Sequence, residues 1–245
     1  MNKAYEPSKH NDARPNVGVT IVPIIYDEEL NQLQTIIYRR AVDSEQFAGK
    51  ISLPNGVYDR QIVTTSEEAA KNALRNKVNI EIPHMEQLYT FSGDYIDPNR
   101  INTINITYWT ILRKEDVIQF QDPTFETEWV SIDSLLVRPE DQFAFNHKEV
   151  LEMALERVKS QAEYKPLALD LLPIQTTIPA FKKLTELLID QELNSTRFRD
   201  RIKKSGILEE IDGVKISGRS NSSQAYRKNP DYDGQFHPRS FTKPM

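Results

Sequence analysis

Nine basic residues cluster between Asn194 and Lys228, against four acidic ones in the same segment. Lysine and arginine side chains grouped in this way bind phosphates, and a nucleic acid presents phosphates at regular intervals. The whole chain has a formal net charge of −5, which by itself argues against such a partner. The charge is distributed unevenly along the chain. Residues 1–160 include 17 basic and 25 acidic side chains, whereas residues 161–245 include 14 basic and 11 acidic side chains. A local basic module is sufficient for nucleic-acid binding. The predicted DNA contacts are Arg197, Arg199, Arg201, Lys203, Lys204, Lys215, Arg219 and Arg227.

A helix over Ser195–Ser205 is predicted to position most of these side chains, with Asn194 or Ser195 as its N-cap and Gly206 as its stop. The helical period puts apolar residues on one side and cations on another, namely Phe198 and Ile202 against Arg197, Arg201 and Lys204. One face therefore packs while the other is basic, as a recognition helix in a major groove requires.

The elements around this helix predict a winged helix-turn-helix. An amphipathic helix precedes it, with Pro179 in its first turn after Thr177. Strand-like segments follow it, with a turn at Asp212-Gly213 and a tip, residues 217–224, that carries Arg219. A basic run alone is more often a solvated surface. The order of helices, tight turns and hairpin favours DNA binding over that alternative.

The first half of the chain predicts a separate domain of mixed strands and helices, so the fold class is α+β. The proposed divisions are a flexible arm over 1–16, a first domain over 17–164, a second over 165–228 and a polar tail over 229–245. Asn55-Gly56 is a turn signal. The expected strands are Val17–Tyr26, Leu33–Ala41, Gln87–Phe91, Thr103–Leu112 and Glu128–Ile132, and the expected helices are Thr64–Val78 and His147–Ala162.

Composition excludes several kinds of site. The chain has no cysteine, which rules out disulfides and thiolate metal ligands, and its four histidines lack metal-ligand spacing. We therefore expect no metal and no cofactor. No run of about 18 apolar residues is present, and the first sixteen residues are polar. We expect no membrane partner and a cytoplasmic location.

The segment from Ala48-Gly49-Lys50 through Leu53-Pro54-Asn55-Gly56 to Ala69-Ala70 resembles the signature of Nudix hydrolases. In that family, glutamates of the signature helix bind the divalent cations that cleave a diphosphate. Aligned on Ala69-Ala70 and Leu74, the positions of those glutamates fall on Thr64, Ala73, Asn76 and Lys77. The resemblance thus implies a Nudix-like domain that is not an enzyme. Glu67 and Glu68 lie nearby, at the helix start, where acidic residues commonly complement the helix dipole.

A wider resemblance covers Val17 to Arg227. The succession of Asp97-Pro98-Asn99-Arg100, Ile106-Thr107-Tyr108-Trp109, Trp129, Phe143-Ala144-Phe145-Asn146-His147 and Tyr164-Lys165-Pro166 resembles NrtR-type regulators. It implies a Nudix-like α/β/α sandwich followed by a winged helix, in a repressor of NAD metabolism genes. It further implies a homodimer on palindromic double-stranded DNA, with ADP-ribose or a related metabolite as effector.

Effector contacts are predicted at Arg39, Arg40, Lys50, Arg100 and Tyr108. Arg39 and Arg40 are consecutive on a strand, so at most one of them should face a pocket. Tyr108 and Trp109 are also consecutive, so one ring should lie in the core while the other flanks a ligand. Lys50 and Arg100 are implied by the resemblance. We expect a structural hydrogen bond from His147 rather than a ligand contact.

Three alternatives stay open. Within the same class, the effector is a pentose or sugar phosphate, and the genes serve carbohydrate catabolism. A second alternative is a divergent diphosphate hydrolase that uses glutamates outside the signature. The third is an adaptor whose winged helix contacts protein.

Overall fold

The structure is a computed structural model, and it describes residues 15–93, 96, 103–117, 126–217, 222–232 and 236. Arg100, Arg219, most of the predicted N-terminal arm and most of the predicted tail lie outside these residues. Within them, every predicted strand of the first half is present to within two residues at each end. The α+β class follows directly from the elements below.

A seven-stranded sheet forms the centre of the first half of the chain, in the order β3-β2-β1-β6-β5, with β4 also paired to β1 and β7 to β2. Strands β1 and β2 form an antiparallel hairpin in which Ile24 pairs with Thr35. Residues 19–27 of β1 are all buried, so this central strand is covered on both faces. The strands are β1 Asn16–Asp27, β2 Gln32–Arg39, β3 Ile51–Ser52, β4 Asn55–Val57, β5 Glu86–Ser92, β6 Thr103–Ile111 and β7 Thr127–Ser131.

Helix α1 spans Ser66–Val78 and begins at the N-cap Thr65, whose side chain accepts a hydrogen bond from the backbone N–H of Glu68. It buries an alanine-rich face formed by Ala69, Ala70, Ala73, Leu74 and Val78. The other helices of this half are α2 Lys114–Val117, α3 Ile132–Leu136 and α4 His147–Ala162.

The predicted turn at Asn55-Gly56 is wrong, because both residues belong to β4 and pair with β1 through Thr20 and Val19. Glycine is needed at this position for a different reason. A Cβ on Gly56 would lie 3.3 Å from the Cβ of Ala73 in α1, which is tighter than ordinary contact. Gly56 therefore lets the helix approach the strand closely.

The second half contains α5 Ala168–Leu171, α6 Ile178–Ile189, α7 Ser195–Ser205, β8 Leu208–Ser217 and β9 Ser222–Lys228. Thr177 caps α6 and Asn194 caps α7, and Gly206 ends α7 in the left-handed conformation with φ 74°. The predicted caps and stop of α7 are confirmed. Strands β8 and β9 form an antiparallel hairpin, and Asp212-Gly213 is not a turn, because it lies within β8 at a register irregularity between Glu210 and Lys215.

Three phenylalanine rings form the core of this hairpin-and-helix module. Phe181 of α6 and Phe198 of α7 are fully buried with ring centroids 5.3 Å apart. Phe236 is buried as well, 5.3 Å from Phe181 and 6.3 Å from Phe198. Sequence reasoning placed Phe236 in a polar tail, whereas its ring completes this core.

The chain divides into two compact units. Of the described residues, the first unit holds those within 1–23, 36–110 and 121–151, and the second holds those within 24–35, 111–120 and 152–245. The division passes through α4, and the predicted domain boundary at 164/165 stays a prediction. No described helix combines the length and apolar composition of a bilayer span.

Candidate ligand cavity and nucleic-acid interface

The first unit contains a cavity of about 210 Å³ beside the N-terminal half of β1. Among the described residues that line it there is one cation, Arg40, and no carboxylate. Such a lining suits an anionic or oxygen-rich ligand and does not suit Mg²⁺. The polar side chains around it belong to Asn16, Thr20, Arg40, Gln46, Asn55, Thr103, Asn105 and His147, and Phe145 supplies an aromatic wall.

Arg40 is held in place from two sides. Its Nε donates a hydrogen bond of 3.0 Å to the backbone carbonyl of Gln46. Its guanidinium carbon lies 5.3 Å from the ring centroid of Phe145, within the range of a cation–π interaction. Arginine keeps its charge throughout the physiological pH range, so the cavity has a fixed positive group.

The loops beside the cavity hold two phenylalanines in an unfavourable backbone conformation. Phe47 and Phe145 both have φ of 52°, and their ring centroids are 4.6 Å apart. A left-handed conformation costs a bulky residue about 1–3 kcal/mol and persists only where the surroundings impose it. Contacts elsewhere in the fold therefore compensate this strain, and the strained conformation places the Phe145 ring against Arg40.

A chain of buried amides forms one side of the cavity. Thr20 Oγ1 donates to Asn105 Oδ1 at 3.2 Å, and Asn105 Nδ2 lies 3.5 Å from Asn146 Oδ1. Asn146 Nδ2 in turn donates to Glu149 Oε2 at 3.2 Å. These mutual hydrogen bonds compensate the burial of polar groups and fix the orientation of Asn105.

His147, the first residue of α4, is 1% exposed and lines the cavity. Its Nδ1 accepts a hydrogen bond of 3.1 Å from the backbone N–H of Leu53. Burial, with a further contribution from the positive charge of Arg40, lowers the pKa of His147 to about 3. The ring is therefore neutral, and because Nδ1 is the acceptor, Nε2 carries the hydrogen. The expected structural hydrogen bond is confirmed, although the ring also borders the cavity.

Of the four predicted effector contacts that the structure describes, Arg40 alone lines this cavity. Arg39 is exposed and borders a separate groove with Glu126 and Glu128. Lys50 donates to the backbone carbonyl of Asp141. Arg100 lies outside the described residues.

Tyr108 and Trp109 are both in the core, at 2% and 3% exposure. Tyr108 shares a 2.7 Å hydrogen bond with Ser66 Oγ, and neither ring lines the cavity. The expected division of these two rings between core and ligand is therefore not seen. Sequence reasoning also missed Gln46, Asn55, Asn105 and Phe145. The position of Asn105 inside the otherwise apolar strand segment Thr103–Ile111 is a signal that would have indicated it, and the other three carry no such signal.

The helix that resembles the Nudix signature shows no arrangement of carboxylates for a metal. Glu68 accepts hydrogen bonds of 2.9 Å from both the backbone N–H and Oγ1 of Thr64, and these bonds lower its pKa. Lys77 Nζ lies 5.7 Å from the Tyr38 ring centroid, and burial lowers the pKa of this lysine. Within the described ranges, no group of three or more His, Asp or Glu residues is placed to hold a metal ion.

In the second unit, α7 presents a basic surface. Phe198 and Ile202 are buried at 0% and 1% exposure, and they anchor the helix. All five predicted DNA contacts on α7 are exposed, namely Arg197, Arg199, Arg201, Lys203 and Lys204. Two predicted DNA contacts of the hairpin, Lys215 and Arg227, are exposed as well. Arg227 forms a 2.8 Å ion pair with Glu209 across the hairpin.

A groove of about 450 Å³ runs beside this surface. Arg199 and Lys182 border it together with hydroxyl groups of Ser195, Ser222 and Ser223. Lys182 also forms an ion pair of 2.5 Å with Glu186. The cations and hydroxyls of this groove are groups that contact phosphate oxygens.

Residues 168–227 match the family model of the NrtR DNA-binding winged helix domain. A curated relative, the ADPR responsive transcriptional repressor NtrR of Acinetobacter baylyi, is 26% identical over 223 residues. Those residues are 91% of this chain and 86% of the relative.

Solved structures extend the likeness over both halves of the chain. The crystal structure of Shewanella oneidensis NrtR complexed with a 27mer DNA has a TM-score of 0.75 at 22% identity, covering 92% of this chain and 96% of that one. The NUDIX domain of the same protein, crystallised with ADP ribose, has a TM-score of 0.52 at 23% identity, covering 63% and 94%. These likenesses confirm the predicted fold, a Nudix-like α/β/α sandwich followed by a winged helix.

Proposed function

We propose that this chain, which has the two-domain organisation of NrtR-type Nudix-related transcriptional regulators, is a DNA-binding repressor that senses a small phosphorylated effector. The observation that carries this proposal is α7, a capped helix with two buried anchors and five exposed cations. The domains are residues 17–164 for sensing and 165–228 for DNA binding. The proposed location of the protein is the cytoplasm.

The DNA contacts come from α7 and the wing. Arg197, Arg201 and Lys204 recur at helical spacing, so together they reach base edges and flanking phosphates when α7 lies in a major groove. Arg199, in the groove beside Ser222 and Ser223, is suited to a phosphate oxygen. Lys203, Lys215, Arg219 and Arg227 complete the proposed set. Two such helices in a homodimer match a palindromic operator.

The effector occupies the cavity beside Arg40 and His147. Its lining of one cation and neutral hydrogen-bonding groups suits a diphosphate with attached sugars better than a metal complex. The Acinetobacter baylyi relative is named as ADPR responsive, and the Shewanella oneidensis NUDIX domain was crystallised with ADP ribose. We therefore propose ADP-ribose as the effector and NAD metabolism genes as the targets.

The first unit is proposed to bind without hydrolysis. The positions aligned with the metal-binding glutamates are Thr64, Ala73, Asn76 and Lys77, and Lys77 has the opposite charge. Ala73 is buried, so its position cannot present a ligand group to solvent. A positive charge near the metal position repels Mg²⁺. We expect no Mg²⁺-dependent cleavage of ADP-ribose, and measurable turnover would restore the hydrolase alternative.

The small volume of the cavity supports a pentose phosphate as an alternative effector. At about 210 Å³ it is smaller than the roughly 300–1,000 Å³ of sites that enclose drug-sized ligands. A pentose phosphate needs less room than ADP-ribose. It is the second candidate effector, with genes of carbohydrate catabolism as the corresponding targets.

The test is binding of the purified chain to its own upstream DNA at a fixed moderate salt concentration, with random-sequence DNA as competitor. We expect specific binding that changes when ADP-ribose is added. Specific binding that responds to ribose 5-phosphate and ignores ADP-ribose would favour the second effector. Absence of specific binding would contradict the proposed function and favour the adaptor alternative.

A further inference from the structure

His147 has one nitrogen engaged within the protein and one that is not. Its Nδ1 accepts from the N–H of Leu53 and lies 3.3 Å from Ser52 Oγ. Within the described part of the chain, Nε2 has no hydrogen-bond partner, although the ring is 1% exposed. Because Nε2 is not one of the buried atoms without a partner, it is open to the cavity that the ring lines, and a bound ligand would supply its acceptor.

We infer that the Nε2–H of His147 donates a hydrogen bond to a phosphoryl oxygen of the effector, and that His147 thereby selects for that group. The inference rests on the proposed effector binding in this cavity. It assigns two separate tasks to one ring: Nδ1 fastens the start of α4 to Leu53, and Nε2 recognises the ligand.

Two neighbouring groups favour a phosphoryl oxygen over a sugar hydroxyl. Asn55 Oδ1 accepts hydrogen bonds from Tyr38 at 2.7 Å and from Ser52 at 3.2 Å, which leaves its amide nitrogen as a donor at the cavity wall. Arg40 adds a guanidinium. Three donors, one of them a cation, without a lining carboxylate suit a negatively charged oxygen that only accepts hydrogen bonds.

The ring is also held in the protonation state that this task requires. Burial and Arg40 both disfavour the charged form and lower the pKa of His147 to about 3, so the imidazole is neutral at neutral pH. Because Leu53 donates to Nδ1, the tautomer with hydrogen on Nε2 is the one that persists. The donor is therefore present whether or not a ligand is bound.

Two substitutions separate the two tasks. In His147→Asn, the amide oxygen takes the approximate position of Nδ1 and accepts from Leu53, but no group reaches the position of Nε2. In His147→Gln, the amide nitrogen approximates Nε2, while the acceptor for Leu53 is lost. The first variant removes the ligand donor, and the second removes the structural bond.

The experiment measures ADP-ribose affinity by calorimetry and thermal stability for the full-length wild type and both variants. We expect His147→Asn to bind ADP-ribose roughly 10-fold to 100-fold more weakly, with near-normal stability. His147→Gln should have the lower melting temperature and retain most of the affinity. Pyrophosphate should displace ADP-ribose from the wild type, and less effectively from His147→Asn.

Each other outcome is decisive. If the wild type does not bind ADP-ribose, the proposed effector is wrong, independently of His147. If the wild type binds and His147→Asn binds within twofold of it, the ligand role of Nε2 is wrong. If affinity falls in both variants in proportion to stability, His147 is only structural. If pyrophosphate fails to compete, or competes equally with wild type and His147→Asn, the contact is not to a phosphoryl oxygen.

Discussion

The cavity of the first unit and the α7 surface of the second both gather phosphate-binding groups, but they hold those groups differently. In the cavity, His147 is 1% exposed and Arg40 is fixed by the carbonyl of Gln46 and the ring of Phe145. On α7 the cations are exposed, and the helix that carries them is anchored through Phe198 and Ile202.

This difference determines what each region is able to recognise. A donor held in a desolvated cavity loses little entropy on binding and rejects a ligand that lacks the matching acceptor. Exposed cations attract any polyanion, and salt screens that attraction. We therefore expect salt to weaken DNA binding steeply and effector binding only slightly.

The largest effect is expected when two cations are removed from α7. Arg197→Ala combined with Arg201→Ala should weaken specific DNA binding by about 2–6 kcal/mol, because each arginine–base contact contributes about 1–3 kcal/mol. The loss should be accompanied by a shallower salt dependence if phosphates are also contacted. A titration of labelled operator DNA at several salt concentrations measures both quantities.

The matched control for this pair is Arg75→Ala in the first unit. Arg75 is also an exposed helical arginine, and it forms an ion pair of 3.0 Å with Glu81. Its removal changes the net charge without touching α7, so DNA affinity should stay within about twofold, which corresponds to roughly 0.4 kcal/mol. Because the control removes one positive charge and the double variant removes two, a loss in the control of about half that in the double variant would mean that net charge, and not the α7 surface, determines binding.

The next largest effect is expected from Phe236→Ala. Removal of its ring from contact with Phe181 and Phe198 should lower the free energy of unfolding of the second unit by about 3–5 kcal/mol. Ile174→Ala, at a side chain that is 59% exposed in the same unit, should change it by roughly 0.5 kcal/mol or less. Denaturant unfolding of the two variants, monitored by near-ultraviolet circular dichroism, measures the difference in their stability. Similar stability of the two variants would show that α7 does not depend on the phenylalanine core.

The buried histidine predicts a pH dependence of stability in the first unit. Burial lowers the pKa of His147 to about 3 in the folded protein, against 6.5 for an exposed histidine, so the unfolded chain binds more protons between these pH values. The free energy of unfolding is therefore unaffected by this group above pH 6.5 and falls as pH decreases below it. At pH 4.5 the loss should be about 2–3 kcal/mol.

His147→Asn removes the titrating group and leaves the other ionisable residues in place. Its stability should therefore fall less than that of the wild type between pH 6.5 and 4.5. Equilibrium unfolding in urea at both pH values measures the difference. Parallel losses in the two proteins would show that His147 becomes protonated without cost in the folded state.

The two regions also differ in how far the sequence predicts them. Helix α7 was predictable because its cap, stop, apolar pair and cations all lie within thirteen consecutive residues, Asn194 to Gly206. The cavity was not, because it depends on where loops return in space. Nothing in the local pattern around Phe47 or Phe145 indicates the left-handed conformation of both residues.

Long-range packing explains the other differences. Asn55-Gly56 has the composition of a turn, but pairing with β1 makes it a strand, and Ala73 explains the glycine. Phe236 stands among polar residues in the sequence, and its ring is buried because it packs against Phe181 and Phe198, which are distant in the chain. Periodicity describes single elements, whereas these features arise from contacts between elements.

The smallest effect compares the caps of two helices, one in each unit. Asn194 Oδ1 accepts from the N–H of Arg197 in α7, and Thr65 Oγ1 accepts from the N–H of Glu68 in α1. Asn194→Ala and Thr65→Ala should each reduce stability by about 1 kcal/mol. Only Asn194→Ala should also weaken DNA binding, because fraying of α7 displaces Arg197 from its contact. If Thr65→Ala weakens DNA binding to the same extent, general loss of stability explains the effect, and the orientation of α7 does not.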